Sequence, residues 1–389
     1  MTPDPPEATG TTAAPAPGSL PVGPLPDGLD PESVTAVRRI PFEGTHYWSV
    51  GDYDLARTVL SDPRFSREAA VAPGATELTA LSPAAESIVS MDGAPHGRLR
   101  RLIAGTFTER ATARFAGDVG TDVARLLDAM ADGEPAADLV GSLCARLPLS
   151  VLCRILGIPL RDEDEFRSLV GVLFALDEDR SEARRKGYRL AAYISGLVRR
   201  KRADPGPDLL SSLIAARDAD DRLTSRELVT LCLALLMAGY ETTADQLTLS
   251  VLTMLLDRDR WEAACTDPGV VPAQVDELLR LAPSTPLSFT RVATEDVELG
   301  DVTVRAGDPL VVFSMGANRC PRAAGSPHLT FGYGAHRCVG APLARMQLVT
   351  AVTGLTTRFP GLRLDEDPAD LPWKPLGATR GLTRLRVRW

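Results

Sequence analysis

The chain has 389 residues, of which 44% are hydrophobic and 24% charged, and its formal net charge is −8 at pH 7. This composition is typical of a globular protein with a large core, and the acidic balance argues against general nucleic-acid binding. Six cysteines form no C-x-x-C pair, which favours a reduced, cytoplasmic protein. No secretory signal pattern is visible, and no uninterrupted apolar run reaches the roughly 18 residues that predict a membrane span.

Residues 1–26 are rich in proline, alanine, glycine and threonine and contain almost no bulky apolar residues. Such a segment buries too little surface to offset the entropy of ordering, so we predict a disordered tail. Residues 27–389 are predicted to form one domain. It opens at 34–50 with a pattern typical of two strands joined by a glycine-containing turn.

His96 and Arg100 are four residues apart in MDGAPHGRLRR and share one face of a predicted helix. Two such donors on one face can bind an anionic group such as a carboxylate. A lone pair of this kind is more often a solvated helix face, so the pattern becomes informative only in combination with others.

A much longer helix is predicted to begin at Thr224, which with Glu227 matches a capping box. The helical pattern continues for about 32 residues, or roughly 48 Å at 1.5 Å per residue, and should cross the middle of the domain. Gly239 weakens one turn, and the hydroxyl of Thr242 can bond back to the carbonyl of Ala238. An acid and an alcohol, Glu241 and Thr242, lie at that turn. They indicate either a small-molecule niche or a simple kink.

Further along the chain, Glu277 and Arg280 are three residues apart on one helix face, where a charge pair can form. We expect a structural role for this pair. Pro283 and Pro286 then exclude further helix, and the alternating pattern that follows predicts paired strands.

One cysteine lies in the glycine-broken stretch FGYGAHRCVGAPLAR at 331–345. Pro342 suits a first helical turn, which places Cys338 just ahead of a helix N-terminus. Unpaired N–H groups there favour a thiolate, so Cys338 is a candidate metal ligand. An isolated cysteine is more often a small buried hydrophobe.

Four motifs occur in order along the chain: H-x-x-x-R at 96–100, A-G-x-E-T-T at 238–243, E-x-x-R at 277–280 and F-x-x-G-x-H-x-C-x-G at 331–340. Their combination resembles bacterial cytochromes P450 of the actinobacterial, class I type. The resemblance implies the cytochrome P450 fold, which is mainly α with a smaller β region. It places haem b between the long central helix and the helix after Cys338.

The resemblance also implies site residues. Cys338 would be the axial ligand of the haem iron, and Glu241 and Thr242 would relay protons to dioxygen. Glu277 and Arg280 would be structural. The residues that it places around the haem are His96, Arg100, Ala238, Arg291, Phe331, Gly332, His336, Cys338 and Gly340. Those that it places in the substrate pocket are Leu235, Leu287, Ser288 and Phe289.

The implied activity is a haem-thiolate monooxygenase that inserts one oxygen atom from O2 into a small hydrophobic substrate, by hydroxylation or epoxidation. The resemblance favours tailoring of a secondary metabolite such as a macrolide, another polyketide or a peptide. Electrons would come from NAD(P)H through a ferredoxin reductase and a ferredoxin, and Arg101, Arg337 and Arg345 would offer that acidic partner a positive face. We expect a cytoplasmic monomer that binds neither nucleic acid nor membrane.

The sequence departs from the family between Arg319 and Pro327, where only CPRAAGS replaces a longer meander. The missing stretch normally supplies an arginine to the Glu277 and Arg280 pair. Either Arg319 or Arg322 replaces it, or the pair lacks a third member. The departure motivates an alternative hypothesis, a P450-like binding scaffold with impaired or lost oxidation chemistry.

Overall fold

The computed structural model describes residues 23–25, 29–31, 36–42, 45–75, 84–159, 162, 180–220, 223–375, 377 and 379–389. The predicted disordered tail, 1–26, lies outside the described residues except for 23–25. That assignment therefore stays a prediction.

Helices dominate the described part of the chain, and most bury one apolar face. They are α1 (Tyr53–Ser61), α2 (Gly93–Ala104), α3 (Glu109–Thr112), α4 (Ala116–Ala131), α5 (Arg146–Leu156), α6 (Arg180–Ala203), α7 (Leu209–Asp220), α8 (Ser225–Leu256), α9 (Arg258–Thr266), α10 (Val271–Leu281), α11 (Ser314–Arg319) and α12 (Ala341–Arg358).

The strands are short and lie in three small sheets within the described ranges. They are β1 (Val37–Phe42), β2 (Thr45–Val50), β3 (Phe65–Ser66), β4 (Ala136–Asp138), β5 (Arg291–Ala293), β6 (Val297–Leu299), β7 (Val302–Val304), β8 (Pro309–Val312), β9 (Arg363–Leu364) and β10 (Arg386–Arg388). The largest sheet has the order β1-β2-β8-β5-β3, the second β4-β10-β9 and the third β6-β7. Together with the helices, they confirm the predicted architecture, mainly α with a smaller β region.

Strands β1 and β2 pair antiparallel with Val37 opposite Val50, which confirms the predicted strand pair. The turn residues between them, 43 and 44, lie outside the described residues. Strand β2 also pairs parallel with β8, with Trp48 opposite Leu310. This pairing brings the start of the domain against the strands that follow Arg291.

Helix α8 begins with the predicted capping box. The Thr224 hydroxyl accepts the backbone N–H of Glu227 at 3.1 Å, and the Glu227 carboxylate accepts that of Thr224 at 2.8 Å. The helix runs for 32 residues, and every residue from 243 to 254 is buried. Its length and apolar composition alone would allow it to cross a membrane. Because neighbouring helices bury it, α8 is a core helix.

Two helix contacts position the middle and the far side of α8. At Gly239, an added Cβ would lie 3.0 Å from Cδ2 of Leu152, so the missing side chain lets α5 approach closely. Helix α12 packs against α8, α10 and α4. It has Pro342 in its first turn and begins at Ala341. Cys338 therefore precedes a helix N-terminus, as the sequence predicted.

Candidate functional site

The loop that carries Cys338 is shaped by glycines in the left-handed region. Gly332 has φ +68° and Gly334 φ +71°. At Gly334 an added Cβ would lie 2.7 Å from the backbone oxygen of Leu60, so the loop packs directly on the end of α1. The backbone N–H of Cys338 donates to the carbonyl of Phe331 at 2.7 Å, which closes the loop. The cysteine position is thus set by local backbone geometry.

The Cys338 side chain is accessible to solvent although many protein atoms lie near its sulfur. Burial raises the pKa of the Cys338 thiol above its ordinary value. The backbone N–H groups of Gly340 and Ala341 and the positive charges of Arg100 and Arg337 oppose that rise. A soft ligand with cationic and N–H neighbours suits a metal thiolate.

The predicted carboxylate-binding residues lie together. The buried ring of His96 lies with its centroid 4.2 Å from that of His336. Burial, together with the charges of His336 and Arg100, lowers the pKa of His96 to about 4. Arg291 also lies within electrostatic range of His96. The four side chains form a cluster, here called the cationic cluster because its two arginines carry positive charge, that is suited to carboxylates.

Asp92, which the sequence analysis did not single out, orients this cluster. It precedes α2 and lies 3.1 Å from Nε2 of His336. Burial alone would raise the pKa of Asp92, but hydrogen bonds from His336, the backbone N–H of Glu68 and the hydroxyl of Ser66 hold it well below its usual range. A signal was available, because an aspartate four residues before His96 is a helix N-cap candidate.

Arg291 is buried in the same region. Its Nη1 donates to the carbonyl of Phe65 at 2.8 Å, and its Nε has no hydrogen-bond partner among the described residues. Burial lowers the pKa of its guanidinium. A buried N–H without a partner is uncommon and marks a position where an additional acceptor would fit.

The acid and alcohol of α8 adopt the predicted local geometry. The Thr242 hydroxyl donates to the carbonyl of Ala238 at 2.5 Å, which confirms the predicted back-bond. The carbonyl of Thr242 accepts from the Ser284 hydroxyl at 2.9 Å. Leu235, Ala238 and Thr242 share one helix face, and all three are partly or fully accessible. In a helix that is otherwise largely buried, this face is available to a ligand.

Glu241 is buried and has a partner that sequence reasoning missed. Nζ of Lys374 lies 2.9 Å from its carboxylate and 2.8 Å from that of Asp245. Burial raises the pKa of Glu241 to about 7; the Lys374 charge opposes that rise and the Asp245 charge adds to it. Asp245 was detectable, because a second acid four residues after Glu241 in an apolar helix needs a cation. Lys374 was not, since it comes 133 residues later.

The predicted pocket residues 287–289 do not all point the same way. Leu287 packs against Ile40, Tyr47 and Val311 on the sheet. The Ser288 hydroxyl accepts the backbone N–H of Val312 at 2.9 Å, so it is engaged with β8, contrary to a free pocket group. Residues 287–289 follow the end of α10 and lie beside the largest sheet. Leu287 forms an isolated antiparallel bridge with Phe313, just after β8.

Phe289 is half exposed, and the guanidinium carbon of Arg67 lies 4.9 Å from its ring centroid. Arg67 is itself buried, donates to the carbonyl of Thr290, and its Nε donates to the carbonyl of Val89 at 2.9 Å. Of the three predicted residues, Phe289 therefore has the most accessible side chain, and the buried Arg67 supports its ring.

Glu277 and Arg280 form the predicted ion pair, with bidentate contacts of 2.8 and 2.7 Å. A third contact comes from backbone, because Nη1 of Arg280 donates to the carbonyl of Asn318 at 2.7 Å. Arg322 pairs instead with Asp52 at 3.2 Å, and is not the replacement that the sequence analysis allowed. Nη2 of Arg319 donates to the carbonyl of Leu281 at 2.9 Å. The carbonyl that contacts Arg280 thus belongs to α11, just ahead of the short meander.

These residues fit haem b. The accessible Cys338 thiol is a suitable axial ligand, and the cationic cluster with the unpartnered Nε of Arg291 suits propionates. Within the described ranges, no group of three or more His, Cys, Asp and Glu side chains could hold a metal ion. A single cysteine suits an iron atom that a macrocycle already coordinates.

Known proteins resemble this chain over most of its length. It is 41% identical over 367 residues to nocardicin C N-oxygenase of Nocardia uniformis subsp. tsuyamanensis, covering 90% of this chain and 91% of that protein. It is 36% identical over 361 residues to cytochrome P450 monooxygenase PikC of Streptomyces venezuelae, covering 89% and 86%.

Among solved structures, the LnmA cytochrome P450 hydroxylase from the leinamycin biosynthetic pathway of Streptomyces atroolivaceus matches with a TM-score of 0.83 and 39% identity, covering 91% of this chain and 93% of that one. No family model matches the chain.

Proposed function

The chain belongs to the cytochrome P450 family and is a monooxygenase, and we propose that its substrate is a secondary metabolite of polyketide or peptide origin. The observation that carries the proposal is the pairing of near full-length similarity to such tailoring oxygenases with an accessible Cys338 ahead of α12. The reaction inserts one oxygen atom from O2 into the substrate, by hydroxylation or epoxidation.

Each side of the site has its own task. Cys338 would hold the haem iron, and the cluster of His96, Arg100, Arg291 and His336 would hold the propionates. Haem b, when bound, supplies the activation of dioxygen. On α8, the Thr242 hydroxyl and the Glu241 carboxyl would hold and pass protons, and their positions on adjacent residues support this role.

The substrate would lie against the accessible face of α8 and against Phe289. Leu235 and Ala238 give that face an apolar character, and Phe289 adds a half-exposed aromatic ring. Apolar walls with few polar groups suit a hydrophobic, medium-sized ligand. For Leu287, partial exposure is what supports a pocket role. For Ser288, the bond between its hydroxyl and β8 weakens that role.

The alternative hypothesis of an inactive binding scaffold finds no support in the comparisons, since the relatives are named as oxygenases and hydroxylases. Its motivation was the short meander. With that short meander, Arg280 still pairs with Glu277 and donates to the backbone carbonyl of Asn318, and the Cys338 loop is closed.

We propose that electrons reach the site from NAD(P)H through a ferredoxin reductase and a ferredoxin. Arg101 and Arg337 are exposed and support a positive docking face. Arg345, predicted as a third member, is paired with Asp276 at 2.6 and 2.8 Å, so its charge is largely neutralised. Charge reversal in Arg337→Glu should slow reduction by an acidic ferredoxin in stopped-flow measurements. Unchanged kinetics would remove this face from the proposal.

A cytoplasmic monomer completes the proposal. The six cysteines all lie in described ranges and form no disulfide bond there, and the long apolar helix α8 lies in the core. Both observations suit a reducing compartment and a protein apart from membranes.

Substrate panels test the proposed class. Purified holoenzyme is titrated with macrolactones, linear peptides and fatty acids of similar size, and binding is followed by the spectral shift of the haem. Turnover under isotope-labelled dioxygen is then read by mass spectrometry. We expect binding and single-atom labelling with a macrolactone or a peptide. Labelling confined to fatty acids would contradict the substrate class.

A further inference from the structure

A buried ionic cluster joins α8 to the C-terminal segment that contains Lys374. Nζ of Lys374 bridges Glu241 and Asp245, which lie one helical turn apart on the same face. The side chains of Glu241 and Asp245 are 9% and 3% exposed, and that of Lys374 is 24% exposed. Lys374 is therefore the member of the cluster that faces solvent.

The C-terminal segment is fixed where it meets the cluster. The backbone N–H of Lys374 donates to the carbonyl of Gly381 at 2.9 Å. At Gly381 an added Cβ would lie 2.2 Å from the Asp245 carboxylate, so only a glycine lets the two elements come this close. The backbone N–H of Arg380 donates to the carbonyl of Ser284 at 2.7 Å, and the Ser284 hydroxyl donates to the carbonyl of Thr242. The segment is thus linked to the turn that carries the acid and alcohol.

The charges around the two carboxylates differ. Lys374 opposes the rise in the pKa of Glu241. For Asp245, the rise in pKa is opposed by Lys374, by the Thr379 hydroxyl and by the positive charge of Arg380. Burial raises the pKa of both carboxyls, and the one ammonium that they share does not neutralise both. The pair titrates as a unit, and Glu241 is the member with fewer favourable contacts.

Cys144 is a further titratable group that faces Asp245, from the π-helical turn Val140–Cys144. Burial raises the pKa of its thiol to about 12, so it stays neutral through the physiological range. Asp138 also lies within electrostatic range of that thiol. The Cys144 thiol therefore does not change the charge that Glu241 meets near neutral pH.

We propose that Lys374 is a positioning residue that sets the protonation of Glu241, and that the Glu241–Lys374–Asp245 cluster is the proton reservoir beside Thr242. A proton from water enters at the exposed Lys374 side, is held on the carboxylates, and becomes available at the neighbouring turn of α8. The inference rests on the proposed monooxygenase function, because only that reaction consumes protons at Thr242.

Two variants with opposite expected effects test the proposal. In Lys374→Met the shared cation is lost, so Glu241 should stay protonated to a pH about one unit or more higher. In Asp245→Asn a like charge is lost and the shape is kept, so Glu241 should ionise at lower pH. The titration is followed on holoenzyme by the infrared band of the protonated carboxyl, assigned by its disappearance in Glu241→Gln. Arg384→Met, which breaks an ion pair with Glu366 in the same segment, is the matched control and should change nothing.

The pH profile of turnover should move in the same directions as the infrared titration. A role limited to structure would not move the two variants in opposite directions. If Lys374→Met fails to fold, Asp245→Asn and Lys374→Arg decide whether the proposal holds. Lys374→Arg keeps the positive charge and should therefore leave Glu241 with its wild-type titration. An unchanged Glu241 titration in Asp245→Asn, or a shifted one in Lys374→Arg, overturns the proposal. The carbon-monoxide spectrum, read on the same samples, separates this failure from loss of the haem-thiolate site.

Discussion

The two sides of the candidate site are built in opposite ways. Around Cys338 the neighbours are cations and backbone N–H groups, and the loop is closed by contacts within ten residues. Around Glu241 the neighbours are a second acid and one lysine supplied from 133 residues away. One side suits a metal-bound thiolate whose backbone is closed by a local contact. The other suits a group that changes its protonation, because its charge depends on a long-range contact.

The largest effect on stability is expected from Lys374→Met, which leaves two buried carboxylates without their shared cation. We expect a loss of about 3 kcal/mol in the free energy of unfolding at pH 8. The pKa of Glu241 in the folded state, about 7, exceeds its ordinary value of 4.5. Protonation of Glu241 therefore favours the folded state below pH 4.5, and this contribution to stability is lost as pH rises toward 7. The destabilisation should therefore shrink in acid. Urea unfolding of the variant and of Arg384→Met at pH 5 and pH 8 measures it. A loss independent of pH would contradict the assignment.

On the cationic side, Arg291→Met should cost about 2 kcal/mol, because it leaves the carbonyl of Phe65 without its buried donor. Haem should also dissociate faster, which transfer to apomyoglobin measures. Arg64→Met, at an exposed arginine near the same strand, serves as the control and should stay near wild type. Equal haem loss in both variants would show that Arg291 does not contact the propionates.

The loop geometry around Cys338 can be tested at Gly334. An alanine there meets both the left-handed backbone and the carbonyl of Leu60. Gly325 has a similar φ of +73° with nothing within 4 Å of an added Cβ, so Gly325→Ala measures the backbone strain alone. We expect Gly334→Ala to lose about 1 kcal/mol more than Gly325→Ala in thermal unfolding. Equal losses would mean that the loop does not depend on its contact with α1.

The smallest effect is expected at the Glu277 and Arg280 pair, which is partly exposed. Glu277→Gln keeps the shape and removes the charge, and should cost under about 1 kcal/mol because Asn318 still binds Arg280. Chemical denaturation measures the change. A loss of several kcal/mol would show that the short meander leaves this pair with no other support.

Features set by neighbouring residues were predictable, and those set by distant ones were not. The capping box at Thr224, the Thr242 back-bond and the place of Cys338 before α12 each depend on a few adjacent residues. Lys374 meets Glu241 only through the path of the C-terminal segment. The pocket role of Ser288 stays a prediction, and the bond between its hydroxyl and the backbone N–H of Val312 was not predictable because it joins residues 24 positions apart. The contact of Arg280 with the backbone carbonyl of Asn318 also joins residues 38 positions apart and carries no sequence signal.

The central claim is that the sulfur of Cys338 binds the haem iron. The most direct measurement is the carbon-monoxide spectrum of the dithionite-reduced holoenzyme, compared with Cys338→Ser and with Cys265→Ser at a cysteine outside the site. We predict a thiolate-type band in the wild type and in Cys265→Ser, and its loss in Cys338→Ser. A wild-type protein without that band, or a Cys338→Ser variant that retains it, would contradict the account.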